Sequence, residues 1–138
     1  MTASAVRASA DNGRPEVPEA ALVAARAADA KLGQDTVVLA MGDLLGVTDA
    51  FVVTSGANTR QVRTIVEEVE RQVKQSAGRS PRATEGLRDL TWVLMDYGDF
   101  LVHVFQDEAR AYYDLERLWG NAPRLSVTGA KSDHRRED

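Results

Sequence analysis

An α/β domain is the fold class this sequence predicts, and three patterns predict it. Val62, Ile65, Val66, Val69 and Val73 recur at helical spacing and form one apolar stripe. Short β-branched and aromatic runs lie on both sides of it, at 35–41, 49–54, 91–96 and 100–105. Helical and strand periods thus interleave along a chain of 138 residues, enough for one domain with a modest core.

The elements follow in order. Residues 1–16 are rich in Ala, Ser, Asp, Asn, Gly and Pro, a composition that buries no core, and are read as a disordered leader. Pro18 suits the first turn of an alanine-rich helix that Gly33 would stop. The runs at 35–41 and 49–54 read as buried strands. The valine-striped helix starts at Asn58, with Gln61 three residues on as in a capping box, and ends at Gly78. Residues 81–85 are short enough for an edge strand. The runs at 91–96 and 100–105 pair as a hairpin through Tyr97, Gly98 and Asp99, where Gly98 supplies a positive φ. Asp107 and Asp114 are placed to cap two last helical segments. Residues 124–138 read as a solvated tail, which leaves 17–123 as the domain. The order α-β-β-α-β-β-β-α implies a mixed sheet of about five strands flanked by helices.

Composition removes several classes of function. The chain has no cysteine, so disulfides, thiolate metal sites and cysteine nucleophiles are excluded. No apolar run approaches the ~20 residues of a membrane span, and residues 1–13 lack the apolar stretch of a secretory signal. The expected compartment is the cytoplasm. A net charge of −4 argues against a broad basic face for nucleic acid. The charge is also uneven: residues 85–119 hold eight acids against three Arg, a local charge of −5. Both Trp and all three Tyr lie within 91–119. An aromatic and acidic surface of that kind suits gripping a basic partner.

Catalytic readings find less support. The segment Thr54-Ser55-Gly56-Ala57-Asn58 links a strand to a helix start, where free N–H groups could hold a phosphate. A phosphate loop would usually add a Lys, and this one offers Arg60. Asp96 and Asp99 are the nearest thing to a magnesium-binding carboxylate pair, but a turn glycine separates them. His103 lies mid-strand, on the face of Leu101 and Phe105, with no second ligand in register, which favours a structural histidine. No cofactor is expected. Trp92, Leu94 and Asp96 share the opposite face from Val93 and Met95, and a Trp flanked by acids near a sheet edge is equally a core residue or a binding hot spot.

Four stretches together carry a resemblance. They are Asp49-x-Phe51-Val52-Val53-x-Ser55-Gly56, then Glu85-Gly86, then Trp92-x-Leu94-x-Asp96-Tyr97-Gly98-Asp99-Phe100-x-Val102-His103, then Arg110-x-x-Tyr113-x-Leu115-Glu116-x-Leu118-Trp119. This pattern, spanning about 20–120, closely resembles the ribosomal silencing factors, also called Iojap-like proteins. The resemblance implies a nucleotidyltransferase-like fold without the transferase's catalytic carboxylates, hence no enzyme activity. It implies binding to the fourteenth protein of the large ribosomal subunit, a steric block to joining with the small subunit, and lower translation when nutrients are short. It also implies a homodimer; from run length and charge, no membrane partner and no sequence-specific nucleic-acid binding are expected. Trp92, Leu94 and Tyr97 are the expected apolar centre of the contact, with Glu85, Asp96 and Asp99 around it. The alternative is a nucleotide-binding or nucleotidyltransferase-like enzyme, which a carboxylate pair facing Ser55 and Gly56 would favour.

Overall fold

The computed structural model describes residues 16–42 and 44–127. Most of the expected leader and the last part of the expected tail, 128–138, lie outside the described residues. In chain order the elements are α1 (Glu19–Ala30), β1 (Gln34–Ala40), β2 (Ala50–Gly56), α2 (Thr59–Ala77), β3 (Ala83–Glu85), β4 (Trp92–Asp96), β5 (Phe100–Gln106), α3 (Asp107–Tyr113), α4 (Leu115–Leu118) and β6 (Arg124–Ser126). One mixed sheet of six strands runs in the order β3-β4-β5-β2-β1-β6. Among the described strands only β2 and β5 pair in parallel; the other neighbouring pairs are antiparallel. All seven residues of β2 are buried, as a central strand covered on both faces requires.

The sixth strand is the main departure from expectation. β6 begins at Arg124, where the tail was expected to start, and pairs Leu125 with Val38 on the outer edge of β1. Its three residues give almost no periodic signal, so only the tertiary pairing defines it. Leu125 packs against the core beneath the helices.

The helix pair α1 and α2 covers one sheet face. Val62, Ile65, Val66, Val69 and Val73 of α2 are all buried there, as their spacing dictates, against Val52, Val93, Met95, Phe100, Val102 and Val104. α1 contributes Ala20, Ala21, Ala24, Ala25, Ala27 and Ala28, whose short side chains let it approach closely. Asn58 caps α2 as expected: its Oδ1 accepts from Gln61 N at 2.9 Å. Gln61 returns the bond one residue earlier, with Oε1 accepting from Ala57 N at 2.8 Å. Its amide also donates to the carbonyls of Lys31 and Leu32, tying α2 to the end of α1.

Two helix ends differ from the reading. Leu32, not Gly33, takes the left-handed conformation after α1, at φ 66°. Gly33 is instead required by crowding, since a Cβ there would lie 2.3 Å from Thr54 Oγ1 and 2.9 Å from the Ala28 carbonyl. Asp107 and Asp114 do not cap with their side chains. Asp107 is the first helical residue of α3, and Asp114 receives the start of α4 with its carbonyl.

Candidate partner-binding surface

The second sheet face is covered unevenly, and that unevenness makes the site. The strand registers set out a grid of side chains upon it. One row runs Glu85, Leu94, His103, Val53, Val37; the next runs Asp96, Leu101, Phe51, Leu39. Over β1 and β2 the grid is roofed by Ala109, Leu115, Trp119 and Ala122 from α3, α4 and the turn after them. Over β4 and β5 Trp92, Leu94 and Leu101 are only half-buried. A leucine and tryptophan strip is thus left open beside a closed floor of Phe51, Val53, His103 and Phe105. On α3 and α4, Leu118 is 67% exposed, Tyr112 81% and Tyr113 48%. Large apolar side chains held half in water are the usual raw material of an interface centre.

Trp92 is fixed rather than loose. Its ring stacks on Phe105 at 4.9 Å and lies 4.6 Å from Tyr113, whose ring is itself 6.4 Å from that of Phe105. The indole Nε1–H donates to His103 Nδ1 at 3.1 Å. His103 also meets the Phe51 ring edge-on at 4.7 Å. Burial lowers its pKa to about 4, so the ring is neutral at physiological pH. A structural histidine was expected, and its one hydrogen bond comes from an indole rather than from backbone or a carboxylate.

Four of the six expected contact residues meet on this face: Glu85, Trp92, Leu94 and Asp96. Tyr97 does not. Alternation turns it to the helical side, where it is buried and stacked on Phe100 at 4.6 Å. Burial pushes its hydroxyl up to about 12. Asp99 follows it to that side. Arg79 lies over the Tyr97 and Phe100 rings and donates to Asp99 Oδ1 at 2.6 Å and to the Tyr97 carbonyl at 2.8 Å. The Asp99 carboxylate in turn raises the Arg79 pKa. Asp96 keeps its face but is engaged: Oδ1 accepts from Arg82 Nε at 3.2 Å and from Gly98 N at 2.8 Å. Leu101, Tyr113 and Trp119 belong to the surface and were not among the expected contact residues. Alternation puts Leu101 on the face of His103 and Phe105, as the structure does; nothing local places Trp119.

A cavity of about 680 Å³ opens at the carboxyl ends of the parallel pair β2 and β5, the position where open α/β sheets commonly bind ligands. Ser55, Asp35, Asp107, Arg110, Asp114, Glu116 and Arg124 line it. Among the described residues no three His, Cys, Asp or Glu side chains are grouped to hold a metal ion. Beside Ser55, two N–H groups at the helix start, those of Ala57 and Gln61, are already bound by the side chains of Gln61 and Asn58. Among the described residues no helix is long and apolar enough to cross a membrane.

A six-stranded mixed sheet, roofed by helices on one face and half-open on the other, defines an α/β protein that presents a structured apolar surface. The chain matches the family model described as ribosomal silencing factor during starvation over residues 14–138, and it belongs to that family. It is 38% identical over 110 residues to the ribosomal silencing factor of Halalkalibacterium halodurans, covering 80% of this chain and 93% of that protein. A crystal structure of a Chromobacterium violaceum protein superposes with a TM-score of 0.71 at 34% identity, covering 76% of this chain and 87% of that one. A more distant mouse relative is named mitochondrial assembly of ribosomal large subunit protein 1. The likeness there is 31% over 88 residues, 62% of this chain and 39% of the mouse protein.

Proposed function

We propose that this chain binds the large ribosomal subunit through its fourteenth protein and sterically blocks joining with the small subunit, lowering translation when nutrients are short. It acts without catalysis, in the cytoplasm, and as a homodimer. Membership of the ribosomal silencing factors supports the process, and the name of the mouse relative supports the large subunit as the partner. The observation that carries the contact is the half-exposed strip of Trp92, Leu94 and Leu101, with Glu85 and Asp96 beside it. An ordinary interface needs only ~800 Å² on each partner, with an apolar centre and a polar rim. Ribosomal proteins are typically basic, so the acidic rim also favours encounter.

Co-sedimentation with purified subunits tests the proposal. The chain should travel with large subunits and not with small subunits or assembled ribosomes. Equal occupancy of assembled ribosomes would overturn the block.

A further inference from the structure

We propose that Arg110 is a positioning residue for the docking surface: its guanidinium sets α4 and Trp119 against the open sheet face. This rests on the large-subunit reading above. α4 has four residues, no side-chain cap and no buried residue of its own. A helix that short does not persist by propensity. What holds it are the partly buried Leu115 and Trp119 at its ends and the carboxylate of Glu116.

Arg110 grips that carboxylate with both prongs, Nε to Oε1 at 3.0 Å and Nη2 to Oε2 at 2.9 Å. Its remaining N–H groups reach the sheet. Nη1 donates to the Gln34 carbonyl at 2.7 Å and to Ser55 Oγ at 3.0 Å, and Nη2 donates to the Asp35 carbonyl at 2.8 Å. All five donors of the guanidinium are therefore matched. The pair is largely shielded, with the Arg110 side chain 11% exposed and that of Glu116 20%. Arg110 also holds the Glu116 carboxyl below the usual carboxylate range, and Arg124 adds a third bond at 3.2 Å.

One planar side chain thus joins the irregular start of β1, the end of β2 and α4. The start of β1 is bulged, with Asp35 at φ 45°, which turns two successive carbonyls toward the same guanidinium. Glu116 stands next but one to the exposed Leu118. Trp119 follows, with its ring edge-on to Phe51 at 6.3 Å beside the open strip. Fixing Glu116 therefore fixes where Leu118 and Trp119 stand relative to Leu101 and Leu94. A lysine keeps the charge but not the fork, and cannot meet these acceptors together.

The test reads Trp119 directly. The chain has two tryptophans, so Trp92→Phe leaves Trp119 as the sole indole reporter. In that background Arg110→Lys and Glu116→Gln should each red-shift the emission while the far-ultraviolet circular dichroism stays unchanged. In the full chain with both tryptophans, each substitution should weaken co-sedimentation with large subunits about tenfold. Arg71→Ala removes the exposed cation of an ion pair with Glu68 on α2 and should match the unaltered chain in both readings. Glu116→Gln is nearly isosteric and keeps the arm alive if Arg110→Lys fails to fold. Unchanged Trp119 emission overturns the inference, as does binding within twofold of the unaltered chain despite shifted emission. If the unaltered chain itself does not co-sediment, the large-subunit reading fails and takes the docking role with it. The emission arm then decides the clamp alone.

Discussion

Trp92 donates its indole N–H to Nδ1 of His103 at 3.1 Å, across adjacent strands. With Nδ1 accepting, the neutral imidazole carries its proton on Nε2. That nitrogen is buried and finds no hydrogen-bond partner among the described residues. The bond therefore selects the tautomer and orients the ring that floors the open strip.

Removing the donor while keeping an aromatic ring isolates this bond. Trp92→Phe should lower stability by ~1–2 kcal/mol, because His103 Nδ1 is left buried without a donor. Trp92→Ala also loses the packing against Phe105 and Tyr113 and should cost ~3 kcal/mol or more. Urea denaturation at neutral pH measures both. Equal losses for Phe and Ala would mean that ring packing counts for nothing.

The His103 environment also sets a pH dependence. Burial lowers its folded pKa to about 4 from an ordinary 6.5. Between those values the unfolded chain binds more protons, so stability is full above 6.5, falls as pH drops, and levels off below about 4. The part due to this residue is on the order of 3 kcal/mol. His103→Gln should flatten the slope between about pH 6.5 and 4.5, as followed by denaturation at a series of pH values. An unchanged slope would assign the dependence to other groups.

Leu94 separates binding from folding. It is half-buried at the centre of the open strip, between Glu85 and His103. Leu94→Asp should weaken binding to large subunits about thirtyfold, the ~2 kcal/mol expected of a hot spot. The far-ultraviolet spectrum should be retained. Asp99→Lys should do the reverse. It sets a cation against Arg79 on the helical side, costing roughly 1 kcal/mol of stability with little effect on binding. The opposite pattern would place the interface on the helical side.

β6 makes the C-terminal boundary testable. A chain ending at 123 loses the pairing of Arg124 to Ser126 with β1, the packing of Leu125 and the bond from Arg124 to Glu116. It should melt several degrees below a chain ending at 127. Identical melting curves would show that β6 adds nothing.

What the sequence disclosed was whatever depends on near neighbours. The valine stripe of α2, the Asn58 cap, the β4–β5 hairpin with Gly98 at φ 94° and the alternation of Trp92 and Leu94 all rest on contacts a few residues apart. The rest depends on distant arrivals. The −5 charge of 85–119 was legible, but Arg79, Arg82 and Arg124 come from outside that stretch to pair with Asp99, Asp96 and Glu116. They reduce the local charge to −2. Tyr97 looked like a contact residue because it stands among acids. Its burial reflects the change of face at the end of β4 and the approach of Arg79 to its ring.

The single parallel pairing has a consequence for how the chain folds. β4 and β5 meet through a three-residue turn, so their register closes locally and at small entropic cost. β2 joins β5 only by setting Ala50 opposite Phe100, after all of α2 has been traversed. Non-local closure of this kind is slow relative to hairpin formation. Refolding should therefore pass from a protected β4–β5 hairpin to the complete sheet, with protection of the amides that bridge β2 and β5 appearing late. Until β2 arrives, the open edge of β5 is available to another chain, and concentrated refolding should lose more material to aggregation than dilute refolding.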